Sequence, residues 1–138
     1  MTAFIKNNVV EIFEKKITQE VVKKILIKDL IVEKIFGYYP EEKIKTQKLK
    51  FNIKLELNQK LAFDDRNLKS IVDYDDIIRL INSILDRKIN FLEILGELIA
   101  EEILKNEKIE AIELQIEKLD ILKTGGSVGF EINKRKKK

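Results

Sequence analysis

The chain contains neither cysteine nor histidine among its 138 residues. Without cysteine it can form no disulfide and has no thiolate nucleophile. Without either residue it also lacks a Ser-His-Asp triad and the nitrogen and sulfur ligands of an ordinary zinc site. Any acid-base chemistry must therefore come from lysine, tyrosine, aspartate or glutamate.

Other absences narrow the class of protein further. Glycine is scarce, and the pair Gly125-Gly126 is typical of a hairpin turn rather than of a phosphate-binding loop. An all-oxygen magnesium site is chemically possible, but no acidic cluster has a recognisable loop spacing. No apolar run approaches the ~20 residues of a membrane span, and the N-terminus lacks the long apolar stretch of a secretory signal. We therefore expect a cytoplasmic protein with no membrane partner.

The net charge of +3 comes from the C-terminus. Residues 134–138, KRKKK, carry +5, which leaves −2 on the rest of the chain. We expect this basic tail to be solvated and frayed. The weakly acidic body argues against a nucleic-acid partner.

The length predicts one domain, and hydrophobic periodicity predicts its first two strands. In the first strand, residues 25–36, the apolar parity changes near Lys28-Asp29, which indicates a β-bulge or bend. The next strand alternates regularly, with one face apolar and the other polar. Its apolar face consists of Leu49, Phe51, Ile53, Leu55 and Leu57.

Two helices and a hairpin follow. Asp73 is a plausible N-cap for the first helix, whose apolar stripe is Ile77, Ile81, Ile84 and Leu85. The second helix is expected to start near Asn90, with the stripe Leu92, Leu95, Ile99 and Ile103. In the hairpin, Ile112, Leu114 and Ile116 precede the glycine turn, and Val128, Phe130 and Ile132 follow it. The order ββααββ predicts an α+β fold: a four-stranded antiparallel sheet with both helices on its apolar face.

Residues 1–24 form an N-terminal extension. Its second half, residues 11–24, has the spacing of an amphipathic helix. Packing on a neighbouring subunit and fraying into solvent remain equally open. The predicted division of the chain is the extension (1–24), a folded domain (25–133) and the basic tail (134–138).

Four polar signatures interrupt this plain pattern. They are GYYPEE at residues 37–42 with Gln47 after it, VDY at residues 72–74, FLE at residues 91–93, and EK at residues 117–118. Each lies at the predicted end of a strand or start of a helix. Such positions are exposed yet rigidly held, as functional sites require.

Taken singly, three of these signatures also have purely structural explanations. Tyr74 could cover the entrance of its helix, and Glu42 could be a solvated turn carboxylate. Residues 90–93 fit a capping box, in which Glu93 reaches back to the N–H group of Asn90.

Lys118 carries the clearest physical signal. It shares the parity of Ile112, Leu114 and Ile116, so it continues their apolar row if the strand extends that far. A lysine in apolar surroundings is poorly solvated when charged, which lowers its pKa towards that of a general base. If the strand ends earlier, Lys118 points into water.

In order and spacing, the four signatures resemble the active-site segments of dihydroneopterin aldolase and of the related dihydroneopterin triphosphate epimerase. The resemblance implies the tunnelling fold, in which several subunits close their sheets into a barrel. It also implies a homotetramer or homo-octamer with active sites between neighbouring subunits. The implied substrate is a small pterin, and the implied reaction needs no cofactor and no metal.

The family's site residues correspond to six positions in this chain: Glu42, Val72, Tyr74, Leu92, Glu93 and Lys118. By resemblance, Glu93 anchors the pterin amino group and ring N–H, beside Leu92 and Val72. Lys118 drives removal of the proton from the side-chain hydroxyl, and Tyr74 assists protonation of the enol intermediate. Glu42 shapes the site and its hydrogen bonds.

The implied activity is cleavage of 7,8-dihydroneopterin in folate biosynthesis. One departure keeps the epimerase open: aldolases typically follow the lysine with proline, whereas Leu119 follows Lys118. Cleavage and epimerisation share the enol intermediate, so the site residues do not separate them. A barrel-forming pterin-binding or structural protein without turnover is the alternative of another class.

Overall fold

Four strands and two helices make up residues 19–137, the part of the chain that the computed structural model describes. The strands are β1 (Lys24–Lys34), β2 (Gln47–Leu57), β3 (Ile109–Lys118) and β4 (Val128–Arg135). The helices are α1 (Tyr74–Leu85) and α2 (Leu92–Leu104). The predicted order ββααββ is confirmed. Most of the predicted N-terminal helix lies outside the described residues, and residues 19–23 have no regular secondary structure.

The strands form one antiparallel sheet in the order β1-β2-β3-β4. The predicted irregularity in β1 is present, because the pairing with β2 shifts between Ile27 and Leu30. Asp29 within this bulge adopts a positive φ of 54°. Its N–H donates to the Oδ1 of Asn52 on β2 at 2.9 Å, which compensates for the interrupted ladder.

The core lies between the sheet and the two helices. All five alternating apolar residues of β2 are buried, as the period of two predicted. Both predicted helical stripes are buried as well. On β4, Phe130 and Ile132 pack against the core, whereas Val128 is 44% exposed.

The helix starts differ in how they are capped. Asp73 caps α1 as predicted, with its Oδ1 accepting from the N–H of Asp75 at 3.0 Å. The alternative explanation of residues 90–93 as a capping box is wrong. The helix begins at Leu92 with Phe91 as N-cap, and the Asn90 Oδ1 accepts instead from the Lys43 ammonium at 3.1 Å.

The basic tail begins later than predicted. β4 continues to Arg135, so Lys134 and Arg135 belong to the sheet and pair with Ile112 and Ala111 of β3. The Arg135 guanidinium forms two hydrogen bonds with the Glu56 carboxylate, of 2.6 and 2.8 Å. This bidentate pair holds the end of β4 to β2, on the far side of β3.

The helices among residues 19–137 are too short or too polar to span a membrane.

Candidate active site

A mostly buried ion pair links the turn after β1 to the end of β3. The Lys118 Nζ lies 2.8 Å from the Glu42 Oε2, and the two side chains are only 13% and 7% exposed. Glu42 is the one charged residue found buried among those described. The interpretation of Glu42 as a solvated turn carboxylate is therefore wrong.

The turn at residues 37–42 is built to bring this carboxylate inwards. Pro40 starts a 3-10 turn at Pro40–Glu42, and the Glu42 N–H donates to the Tyr39 carbonyl at 2.9 Å. Gly37 has a φ of +135°, which side chains rarely permit. A Cβ at Gly37 would lie 2.3–2.6 Å from the atoms of the Glu42 carboxyl group. Glycine therefore leaves the space that the carboxylate occupies.

Hydrogen bonds hold the Glu42 carboxylate in its charged form. Burial alone raises the pKa of Glu42. Hydrogen bonds from Lys118 and Gln47 outweigh this, with help from the Lys118 charge and the Tyr39 N–H, so that the pKa lies below its ordinary value. The Gln47 amide lies 3.1 Å from the Glu42 Oε2, and the Tyr39 N–H lies 3.4 Å from the Oε1. A carboxylate fixed in this way accepts a hydrogen bond from the Lys118 ammonium.

Lys118 continues the apolar row of β3, as its parity predicted. It is the last residue of the strand and pairs with Leu49 of β2 and Val128 of β4. Its ammonium lies 5.3 Å from the centre of the Phe36 ring. The alternative, in which the strand ends before Lys118 and the side chain points into water, is wrong.

Glu93 lies in the first turn of α2, where backbone N–H groups have no partner within the helix. Its side chain is exposed, and within residues 19–137 it has no hydrogen-bond or ion-pair partner. Aromatic stacking holds this helix start against the Glu42 turn, because the rings of Tyr38 and Phe91 are 5.4 Å apart and nearly parallel. Glu93, Glu42 and Lys118 therefore lie at the same end of the domain.

Tyr74 lies at the opposite end. It begins α1 and is 60% exposed, whereas Asp86, just past the end of that helix, pairs with Lys34 at 2.9 Å near the Glu42 turn. The helix between them is about 17 Å long at 1.5 Å per residue. The Ile71 carbonyl, three residues before Tyr74, accepts from Lys108 beside the start of β3. Within one chain, the structure does not bring Tyr74 to Lys118.

The side chains of the two remaining predicted site residues are in the core. Val72 is 3% exposed and Leu92 is 6% exposed. Val72 lies at the Tyr74 end and Leu92 at the Glu93 end. Their backbone groups are therefore the parts that remain available to a ligand.

A cleft of about 730 Å³ lies next to the Glu42 turn. None of the six predicted site residues lines it. The end of β1 and residues 85–90 form its walls. Lys34 and Asp86 in its lining are paired with each other, and Lys43 is bonded to Asn90. These four polar groups already have partners and are not buried, whereas the Glu42–Lys118 pair is mostly buried, so we assign the chemistry to that pair rather than to the cleft.

The sequence analysis placed Gln47 in the first polar signature without assigning it a role, although its position in the strand indicated one. Gln47 is the first residue of β2 and shares the parity of Leu49 and Phe51, so it places an amide in an apolar row. Lys118 stands out on β3 for the same reason. A polar residue in register with a buried row needs a partner, and in both cases that partner is Glu42.

The comparisons with known proteins agree with this fold. The family model for dihydroneopterin aldolase (FolB) matches residues 25–133. Among solved structures, the chain is similar to dihydroneopterin aldolase from Burkholderia thailendensis bound to guanine, with 22% identity and a TM-score of 0.73. That match covers 84% of this chain and 93% of the other.

The chain is also similar to E. coli dihydroneopterin aldolase in complex with neopterin, with 23% identity and a TM-score of 0.68. Here 81% of this chain and 98% of the other are covered. At these identities the two structures establish the fold. A search of curated proteins found no match.

Proposed function

The chain belongs to the dihydroneopterin aldolase family, and on that premise we propose how its own residues cleave 7,8-dihydroneopterin. The products are 6-hydroxymethyl-7,8-dihydropterin and glycolaldehyde, and the enzyme is a lyase of folate biosynthesis. The observation that carries the assignment of the site is the buried ion pair between Lys118 and Glu42. We also propose that the protein is cytoplasmic, as expected from the sequence.

The reaction is a retro-aldol cleavage of the bond between C1′ and C2′ of the side chain. A base removes the proton of the 2′-hydroxyl, and the C2′ oxygen becomes the carbonyl of glycolaldehyde. The electron pair of the broken bond passes into the ring imine, giving an enol intermediate. Protonation at C1′ then yields the hydroxymethyl product. The site must therefore hold the ring, accept one proton and deliver another.

Glu93 is proposed to hold the ring. Its carboxylate has no protein partner among the described residues, and it lies beside the free N–H groups at the start of α2. Acceptor oxygens next to backbone donors complement the amino group and ring N–H of a pterin. The backbone of Leu92 supports the same contact, since its side chain faces the core.

Lys118 is proposed to accept the hydroxyl proton through a water molecule: its ammonium first passes a proton to solvent, and the neutral amine then takes up the proton that the water receives from the hydroxyl. Its ammonium is fixed by Glu42 and shielded from solvent by the Phe36 ring and the strand end. Charge interactions are stronger in such a site than in bulk water. Glu42 is proposed to hold the lysine in place during the proton transfers.

Tyr74 is proposed to act in the site of a neighbouring subunit, together with the backbone of Val72. Support comes from its location, since it is exposed at the end of the domain opposite to Lys118. A site with Lys118, Glu93 and Tyr74 together needs a second copy of the chain.

A closed ring would supply that second copy. The sheet has two edges, β1 and β4, and closure of several sheets into a barrel removes such edges. We therefore propose a homotetramer, or a homo-octamer of two stacked rings.

Product analysis tests the proposed reaction. The purified protein is incubated with 7,8-dihydroneopterin and, separately, with its triphosphate. Release of glycolaldehyde with 6-hydroxymethyl-7,8-dihydropterin is the expected result. An epimer without cleavage would assign the chain to the epimerase instead, although the family match favours the aldolase. Tight pterin binding without either product would assign it to the non-catalytic alternative.

A further inference from the structure

Gln47 ties the Glu42 carboxylate to the sheet. Its amide nitrogen donates to the Glu42 Oε2 at 3.1 Å and also to the carbonyl oxygen of Phe36 at the end of β1. These two bonds use both hydrogens of the amide. The Lys118 Nζ donates to the same Oε2 at 2.8 Å. Gln47 and Lys118 thus converge on a single oxygen atom.

The position of Gln47 makes this contact rigid. It begins β2 and pairs with Lys34 of β1, so its backbone is held by the sheet rather than by a loop. Gly37, on the other side, leaves room for the carboxyl group and would collide with it if it carried a side chain. The Gln47 amide therefore holds the carboxylate from the sheet side, in the space that Gly37 leaves open.

We propose that Gln47 is a positioning residue of the aldol cleavage: it fixes the Glu42 carboxylate so that the Lys118 amino group is held at the reacting hydroxyl. Gln47 itself touches neither the substrate nor the reacting atoms in this proposal. The inference rests on the proposed function, because the reaction gives the lysine its task. The effect of Gln47 on the ionisation of the Glu42 carboxyl group can be measured even in a protein that shows no turnover.

The electrostatics of the site predict what loss of Gln47 does. Burial raises the pKa of Glu42, and the Gln47 hydrogen bond is the second of the contributions that lower it, after the bond from Lys118. The other titratable side chains in and next to this turn, Tyr38, Tyr39, Glu41 and Lys43, are exposed. Without the Gln47 donor, burial persists and the pKa of Glu42 must rise. Glu42 then becomes neutral at a higher pH and releases Lys118.

The first experiment follows the Glu42 carboxyl carbon by ¹³C NMR during a pH titration of the full chain. The test variant is Gln47→Met, which keeps the approximate shape and removes the donor. The matched control is Gln115→Met, because the Gln115 amide also donates to a glutamate, Glu131, but on the exposed face of the sheet. We expect Gln47→Met to raise the pKa of Glu42 and Gln115→Met to leave it unchanged.

The second experiment measures kcat against pH and pterin affinity for the same proteins. Gln47→Met should lower kcat roughly 10- to 100-fold at neutral pH, since misplacement of a reacting group costs up to about 10²-fold. The acid limb of the profile should move to higher pH, with pterin affinity unchanged. A purely structural role would alter thermal stability without moving that limb.

Gln47→Glu is a second test variant, to be used if Gln47→Met does not fold. It preserves the shape and places a second carboxyl group beside Glu42. Two adjacent carboxyls resist simultaneous ionisation, so the acid limb should again move to higher pH. An unchanged Glu42 titration, or an equal effect of Gln115→Met, would overturn the inference. A wild-type protein without turnover would instead refute the proposed function, while the NMR titration would still decide the role of Gln47.

Discussion

The Lys118 ammonium and the Glu42 carboxylate meet 2.8 Å apart, although 76 residues separate them in the chain. The pair joins the end of β3 to the turn after β1 and is largely shielded from water. Salt screens such a pair far less than a surface pair. Removal of either partner leaves the other charged and buried, which is more costly than loss of the attraction itself.

Glu42→Gln should destabilise the fold in a pH-dependent way. At pH 7 we expect a loss of about 3–5 kcal/mol in the free energy of unfolding, because the Lys118 ammonium is left buried without its partner. The pKa of Glu42 is lowered by folding, so its ionised form stabilises the protein above the ordinary value of 4.5. This contribution is lost as the pH falls through the lowered pKa. The difference between variant and wild type should shrink over that interval.

Denaturant unfolding at fixed protein concentration measures this effect. Glu102→Gln is the matched control, since the Glu102 Oε1 also lies 2.8 Å from a lysine, Lys105, whose side chain is 67% exposed. The control should change stability little, because exposed pairs contribute little. Equal losses in the two variants would show that the burial of Glu42 has no energetic consequence.

Gly37→Ala should cost more than its backbone conformation explains. A positive φ in a residue other than glycine costs about 1–3 kcal/mol, and the new methyl group would also displace the Glu42 carboxyl. Gly125→Ala provides the comparison, because Gly125 has a φ of +94° but no atom beyond its two chain neighbours lies within 4 Å of the position that its Cβ would occupy. Thermal melting should show the larger loss for Gly37→Ala, and only Gly37→Ala should lower kcat. Identical behaviour would mean that no space is reserved for Glu42.

Glu93→Gln should weaken pterin binding without affecting the fold. Loss of charge-assisted hydrogen bonds to the ring should cost about 1.5–3 kcal/mol in binding. Stability should hold, because Glu93 is exposed and forms no cap. Equilibrium titration with neopterin measures the affinity, and Glu97→Gln, about one turn further along α2, is the control. Normal affinity in a variant that melts earlier would make Glu93 a purely structural residue.

Much of the fold follows from local rules. The alternation in β2, the parity change in β1 and the Asp73 cap each depend on neighbouring residues, and the structure contains all three. Helix α2 starts near Asn90, as predicted, but the capping box that residues 90–93 could form is absent, although Asn90 is a good capping residue on its own. In the fold its side chain bonds Lys43 instead, and a contact across 47 residues cannot be derived from local preferences.

The site could be predicted only in part, for a similar reason. The parity of β3 predicted that the Lys118 side chain lies on the core side of the sheet. It did not identify Glu42 as the partner of that side chain. The inward direction of Glu42 depends on the φ of Gly37 and on the Gln47 amide, which act together only after β1 and β2 have paired. Likewise, the sequence order of Tyr74 and Glu93 gives no sign that they lie at opposite ends of one domain.

Mixing two inactive variants should restore activity if Tyr74 acts across a subunit boundary. Tyr74→Phe and Lys118→Met proteins are unfolded together, refolded at equal amounts and assayed. In a ring with random subunit order, about one site in four receives both wild-type residues from its two neighbours. A compact monomer by light scattering, or a mixture no more active than its components, would contradict a shared site.

Variants of Lys118 can separate its contribution to stability from its contribution to catalysis. Lys118→Met should lower kcat by roughly 10²–10⁴-fold, the usual contribution of a general acid-base group. It should also destabilise the fold, since the Glu42 carboxylate loses its partner. The sequence alone suggests the opposite, a harmless removal of a poorly solvated charge, because it does not reveal Glu42 as the partner.

Two further variants distinguish the causes. Lys118→Arg keeps a cation for Glu42 and should retain most of the stability, yet a guanidinium cannot give up its proton near neutral pH, so turnover should stay low. The double variant Glu42→Gln, Lys118→Met removes both charges and should recover stability relative to either single change, without recovering activity. Single-turnover rates and unfolding curves for the whole set test this. Near-normal turnover in Lys118→Arg would mean that Lys118 supplies only positive charge, and its role in proton transfer would have to be abandoned.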